Sequence, residues 1–338
     1  MKKIFALLTA LALTVSLAAC GGSKPAQEQG NTDADKPAAE GKKYKVAMIV
    51  DSSISDGGWG AACYNAMVAA AKDKGWENAY TDQIAVSDYV SAIESYCQLG
   101  YDMIFLPGNQ YSDAASQVAK DYPDIAFAVL NGSADLPTEN IMSILPDAKQ
   151  IGYLAGTMAG LMSQSKTLGF IGGMELDTTK DKLQCFEKGA QLIDPSIKAL
   201  SAYAGGFSDT AKGMELAKTM INQGADVFFG DASAVDSGAR QAIDDANGDN
   251  IKIYDIGQPA DLLGQNPCII SSVVTDNAGM IKLCMQAVEE GKFGNDVIYG
   301  TLENGGLSVG AINENLVPKD VQSKYMEFVE KIKSGEIK

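Results

Sequence analysis

Histidine is absent from all 338 residues. Its absence removes Ser-His-Asp and Cys-His nucleophilic catalysis, histidine-ligated zinc and the usual proton shuttle of neutral pH. Basic residues are scarce: 27 Lys and Arg stand against 43 Asp and Glu, a formal charge of −16. This argues against nucleic acid as a partner, because such binding runs on phosphate neutralisation. No Cys-x-x-Cys pair occurs, so zinc and iron–sulfur sites lack a ligand pattern. The P-loop signature is missing and the glycine-rich stretch 169–173 is not G-x-G-x-x-G, which leaves phosphate cradling without support. Gly306-Leu307-Ser308-Val309-Gly310 matches G-x-S-x-G, yet without histidine no conventional triad forms, and it reads as a strand bounded by glycines.

What is present is a globular composition, 46% hydrophobic and 21% charged, over a length that suggests two domains. Met1-Lys2-Lys3 precedes an apolar run at 4–19, too short to span a bilayer comfortably, and then Leu17-Ala18-Ala19-Cys20-Gly21. A basic start, a short apolar core and small residues before Cys resemble a bacterial lipobox. Residues 1–19 are therefore expected to be a signal peptide, with Cys20 the lipidated first residue of the mature chain. So acidic a body has no polybasic attraction to lipid, so the lipid on Cys20 would anchor it to the extracytoplasmic face of the cell membrane. Residues 20–43 comprise that Cys and a polar stretch with Pro25 and Pro37, read as a flexible tether. The other five cysteines, Cys63, Cys97, Cys185, Cys268 and Cys284, cannot all pair. Buried thiols are the reading, with one disulfide left open.

The body alternates strand and helix. Strands are expected at 44–50, 103–106 and 125–130, with helices at 61–74, 88–99 (capped by Asp88) and 112–120. The second half follows suit, with strands at 166–171, 197–203, 226–229 and 251–256. Its helices fall at 178–193, from Asp209 to 222, and at 235–246. A strand at 268–274, a helix at 278–290 and strands near 297–299 and 307–312 follow. Gly100-Tyr101-Asp102-Met103-Ile104-Phe105 has a counterpart in Gly224-Ala225-Asp226-Val227-Phe228-Phe229. The pattern is α/β, two Rossmann-like lobes of parallel sheet covered on both faces.

Ligands of such sheets bind beyond the carboxyl ends of the strands, at the switch point. Seven segments, 51–60, 107–111, 131–133, 172–177, 204–209, 230–233 and 257–261, are expected to line one cleft. Trp59, among glycines in Ser55-Asp56-Gly57-Gly58-Trp59-Gly60, is either a platform for a planar ligand or a packing residue at the lobe edge. Phe207 is its counterpart, while Asp209 caps the next helix. Asp51 and Asp231 end strands and either accept from ligand or cap the following helix, and Asp255 and Gln258, flanking Gly257, carry the same two readings.

Several segments resemble the BMP (basic membrane protein) family, PnrA-type substrate-binding lipoproteins of ABC transporters. They include Val50-Asp51 with Asp56-Gly57-Gly58-Trp59, residues 122–128, Tyr153-Leu154-Ala155-Gly156, residues 169–173, Phe207-Ser208-Asp209-Thr210-Ala211-Lys212-Gly213 and Gly224-Ala225-Asp226-Val227. The resemblance implies a type I periplasmic-binding-protein fold with three interlobe crossovers, and purine nucleosides as the usual ligand. It places stacking aromatics on Trp59 and Phe207 and an early aspartate on Asp51. The chain departs from it at Asn131, Gly257 and Thr275, where the nucleoside binders tend to carry Asp, a ribose-holding Asp and Lys. A free base, a modified nucleoside or another heterocycle is therefore credible. We divide the body into residues 44–132 plus about 259–298, and about 133–258 plus 299–338.

The sequence thus reads as a lipid-anchored capture subunit without catalytic residues, metal or cofactor. It would close on a small planar, nucleoside-like ligand and present it, as a monomer, to an ABC permease. Asp51, Trp59, Gln110, Asn131, Phe207, Asp231, Asp255 and Gln258 are the expected ligand contacts. A sugar, flavin or autoinducer receptor of the same fold stays open. So does a nucleoside-processing enzyme, to which Asp51 and Asp56 would offer paired carboxylates.

Overall fold

The computed structural model describes residues 42–55 and 59–338. The leader 1–19, Cys20, the tether as far as residue 41 and Asp56-Gly57-Gly58 lie outside the described residues. Lys43–Lys338 cluster as one unit, built on two six-stranded sheets.

The first sheet holds β1 (Lys45–Ile49), β2 (Glu77–Thr81), β3 (Met103–Leu106), β4 (Ala126–Leu130), β5 (Ile141–Pro146) and β11 (Asp296–Gly300), in the order β11-β5-β4-β3-β1-β2. All its pairs are parallel. The second holds β6 (Thr167–Gly172), β7 (Lys198–Tyr203), β8 (Val227–Asp231), β9 (Tyr254–Gly257), β10 (Ile269–Thr275) and β12 (Leu307–Val309), in the order β12-β10-β9-β8-β6-β7. Only β12, the strand with the G-x-S-x-G match, runs antiparallel, against β10.

Strand alternation sends apolar residues to both faces. Val46 and Met48 of β1 pack toward α1 (Trp59–Lys74) and α8 (Asn277–Glu289), while Ala47 and Ile49 pack toward α2 (Tyr89–Gln98) and α3 (Ser112–Val118). In the second sheet, Val227 and Phe229 of β8 face α4 (Ala148–Met162), α5 (Asp177–Gln191) and α9 (Lys319–Lys333). Phe228 faces α6 (Thr210–Asn222) and α7 (Ala234–Asn247). Four apolar layers result, one per sheet face, as parallel sheets require.

The chain passes between sheets three times, always from a carboxyl strand end. β5 runs through Asp147 into α4, β10 through Asp276 into α8, and β11 through 301–306 into β12. The passages are tied together: the Asp147 N–H donates to the Gly300 carbonyl and the Asp276 N–H to the Gly306 carbonyl, both at 2.9 Å. One or a few residues per passage bring the carboxyl edges of the two sheets together. This placement corrects the lobe boundaries read from sequence. β5 continues the first sheet to Pro146 instead of leaving it at residue 133, and β10, assigned to the first lobe from residue 259, belongs to the second sheet.

Four elements escaped the sequence reading. β2 is a half-exposed edge strand with no apolar run, and β5, α4 and α9 fall where no periodicity was read. Asp209 caps α6, accepting from the Lys212 N–H at 2.9 Å. Asp88 stands at the α2 N-cap without a side-chain capping bond. All five described cysteines are free and buried, so the disulfide left open by sequence is not formed. Burial pushes their thiols up, to about 12 at Cys97.

α4 is glycine-rich because it touches α5 at backbone distance. A Cβ on Gly156 would lie 2.1 Å from the Phe186 carbonyl oxygen, and Gly152 and Gly160 meet the same helix one turn away on either side.

The α6/α7 face buries charge. Arg240, the chain's one arginine, pairs through Nε with Asp255 at 2.7 Å, with side chains 14% and 6% exposed. One turn earlier, Asp236 accepts from the Ala232 N–H at 3.1 Å through Oδ2. Its Oδ1 is buried with no donor. Burial pushes this carboxyl up to about 7, against the pull of Arg240 and with the repulsion of Asp255 and Asp231.

Two outcomes are expected. Gly156→Ala overpacks the α4–α5 contact and lowers unfolding free energy by about 1–3 kcal/mol, whereas Gly206→Ala, which meets nothing within 4 Å, leaves it nearly unchanged; chemical denaturation checks both. Asp236 holds its proton more tightly folded than unfolded, so its contribution is present below about pH 4 and lost as pH rises toward 7. The stability of Asp236→Asn relative to the wild type should therefore climb between pH 4.5 and 7 and then level off in denaturant titrations, and parallel curves would contradict this.

Candidate functional site

In the first sheet the chain steps from β1 out to β2 and returns across it to β3. In the second it steps from β6 to β7 and returns to β8. The loops after β1 and β3, and those after β6 and β8, therefore diverge and leave a crevice at each switch point. The described residues of all seven expected segments lie at or follow carboxyl strand ends.

Asp51 leaves the end of β1 exposed at the first switch point. Its N–H donates to the Tyr111 hydroxyl at 2.7 Å. Its Oδ2 accepts from the Tyr89 hydroxyl at 2.9 Å and from the Gln110 amide at 3.1 Å. Tyr89 and Tyr111 are 3% and 0% exposed, with ring centroids 4.4 Å apart. Burial and then Asp51 push the Tyr89 phenol up to about 12, so it remains a neutral donor at neutral pH. Among the described residues no donor reaches Asp51 Oδ1, so one lone-pair face stays open. The carboxylate is thus an exposed acceptor held in place by Tyr89 and Gln110.

Trp59 opens α1, and its indole N–H donates to the Pro107 carbonyl at 2.7 Å, tying the β1 loop to the β3 loop. The ring is partly buried against the layer beneath α1 and α8, so packing fixes it and leaves part of it open. Asn131 follows β4 with φ of 58°, a left-handed position that Asn tolerates. Its N–H donates to the Ile144 carbonyl at 2.8 Å and its side chain is exposed.

At the second switch point, Asp231 ends β8 and is engaged by its own chain. Lys182 Nζ at 2.6 Å and the Gln258 amide at 3.2 Å donate to Oδ1, and the Thr179 hydroxyl at 2.8 Å donates to Oδ2. It neither caps α7 nor stands open. Gln258 also donates to the Gly230 carbonyl, bracing β9 against β8. Phe207 is 41% exposed, and its ring lies against Gly173, where a Cβ would sit 2.4 Å from the ring edge. The Phe207 carbonyl accepts from the Ala234 N–H at 3.0 Å.

Asp255 is a correction. It lies within β9, 4% exposed, and turns toward α7 and Arg240 while its neighbour Ile256 packs on the opposite face. Strand alternation thus takes it away from the loops. At Gly257 a Cβ would meet Ser272 Oγ at 2.6 Å and Leu262 at 3.1 Å. Beside Thr275, Asp276 caps α8.

Sequence reasoning missed Tyr89, Tyr111, Thr179 and Lys182. Tyr111 lay within an expected loop. The others contact the site from 38 to 52 residues away in sequence, a separation that local pattern cannot bridge. Among the described residues no group of three or more metal-ligating side chains occurs, and no described helix is long and apolar enough to cross a membrane.

Known proteins resemble the chain along most of its length. A nucleoside-binding ABC transporter protein, BmpA, of Lactococcus lactis is 27% identical over 96% of this chain and 96% of its own. A putative ABC transporter glucose-binding protein, TsgA13, of Haloferax volcanii is 26% identical over 90% of this chain and 76% of its own. A solved ABC transporter solute-binding protein from Aeropyrum pernix shares the fold, with a TM-score of 0.74 at 21% identity over 87% of this chain and 92% of that one. The family model described as "ABC transporter substrate-binding protein PnrA-like" matches residues 43–338, and the chain belongs to that family, Bmp, as a substrate-binding protein of an ABC transporter.

Proposed function

We propose that this substrate-binding protein captures a small planar ligand, a purine nucleoside or nucleobase, between its two lobes. The observation that carries the reading is a pair of anchored aromatics, one per lobe, Trp59 where the loop after β1 enters α1 and Phe207 on the loop after β7. Trp59 is pinned to the Pro107 carbonyl, and Phe207 rests on Gly173 with much of its ring in solvent. Offset stacking on such rings contributes about 0.5–1.5 kcal/mol beyond area burial. Asp51 would accept from an N–H or O–H on the ligand, with Gln110 beside it and Asn131 on the next loop.

Asp231 and Gln258 act here as braces. They hold Lys182 and the β8–β9 edge in place while Phe207 meets the ligand. Closure follows because a ligand touching both lobes favours the state in which both contacts exist. The closed form would dock on a membrane permease, with the monomeric body held at the extracytoplasmic face by lipid on Cys20. The relative named for glucose supports a second reading, a sugar stacked on the same rings.

A thermal-shift panel of nucleosides, free bases, riboflavin, pentoses and hexoses separates these readings. A ligand at about 100 times its Kd adds about 2.7 kcal/mol. Nucleosides or bases should shift the wild type, while Trp59→Ala, which also gives up packing and the Pro107 tie, stays folded at a lower unliganded Tm and loses most of the ligand-induced shift. A response to sugars alone would sink the nucleoside reading. Separately, Cys20→Ser should move the protein from the detergent phase to the aqueous phase on Triton X-114 partitioning, and unchanged partitioning would refute the lipid anchor.

A further inference from the structure

The turn from β8 to α7 is built at a local cost that packing does not explain. Ser233 stands at the α7 N-cap with φ 57° and ψ −116°, a combination that glycine adopts freely and other residues adopt at a penalty. It is not a loop left to drift. The Ala232 N–H is held by Asp236 Oδ2 and the Ala234 N–H by the Phe207 carbonyl, and the Ser233 carbonyl accepts from the Asp236 N–H at 3.1 Å.

A second, independent cost lies beneath it. Asp236 is 7% exposed, and its Oδ1 is buried without a donor. That oxygen faces β8, close enough to Gly230 that a Cβ there would lie 2.1 Å away. A strained non-glycine residue in the turn, with a carboxylate oxygen buried without a donor between α7 and β8 beneath it, is what a binding site retains and a mere connection sheds.

We infer that Ser233 is a ligand-contacting, specificity-determining residue of the second lobe, presenting its hydroxyl to a polar atom on the edge of the ring stacked on Phe207. The inference rests on the planar-ligand reading and deepens it. The Ser233 side chain is exposed, and the next residue is bonded directly to the Phe207 backbone, so the ring and the hydroxyl are positioned by one turn. Its partner is a carbonyl oxygen, ring nitrogen or amino group of a heterocycle. A ring without polar edge atoms would gain nothing from it.

The test compares wild type, Ser233→Gly and Ser233→Ala in the full chain, first without ligand and then with adenosine, guanosine, inosine, adenine, guanine and riboflavin as probes. Without ligand, Ser233→Gly relieves the backbone and should raise Tm by about 2–6 °C, while Ser233→Ala, which keeps the strain, should not. With the probe that shifts the wild type most, both variants should bind about tenfold more weakly, as loss of one hydrogen bond predicts. A Ser233→Gly Tm at or below that of the wild type overturns the inference, as does wild-type affinity in both variants. If no probe shifts the wild type, the planar-ligand reading and the inference that rests on it fail together; if a probe shifts the wild type and both variants alike, the inference alone fails.

Discussion

Two loops that leave adjacent parallel strands in opposite directions cannot cover one another, and this divergence governs both lobes. Each sheet is wound outward from its first strand and then back across it, so each has one place where side chains can meet a ligand without a helix in the way. The chain bridges the two crevices differently. The first is tied by Trp59 to Pro107 and by Asp51 to Tyr111 and Gln110. The second is tied by Asp231 to Lys182, Thr179 and Gln258. The first arrangement leaves a carboxylate oxygen open among the described residues, whereas the second consumes its carboxylate. The first lobe therefore keeps an acceptor that no described donor fills, and each lobe carries one aromatic at a strand-end loop.

The three passages between sheets bring the carboxyl ends of the two sheets close to one another. They leave from carboxyl strand ends and are bonded to each other through Gly300 and Gly306, so the carboxyl edges of both sheets lie next to the passages that join them. Rigidity is supplied elsewhere. The close α4–α5 packing around Gly156 and the four apolar layers hold each lobe as a close-packed body.

The alternation of strand and helix, the seven loops and the aromatic pair were all legible in the sequence, because periodicity, glycine stops and an isolated Trp are local signals. The lobe boundaries were not. β5 carries no periodicity that marks it as a strand, β10 is a short apolar run, and only pairing tells which sheet each joins. Asp255 misled because a strand-terminal aspartate and one a residue or two inside the strand look identical until alternation assigns a face; here it faces Arg240. The Tyr89 and Lys182 contacts are long-range, and the Ser233 backbone is a dihedral fact that a serine among small residues does not announce.

The central claim is that one planar ligand touches both lobes. A crystal structure of the body with the probe that stabilises it most tests this directly. The account predicts the ring between Trp59 and Phe207, with Asp51 Oδ1 accepting a ligand hydrogen. A ligand bound to one lobe only, or clear of both rings, would contradict it.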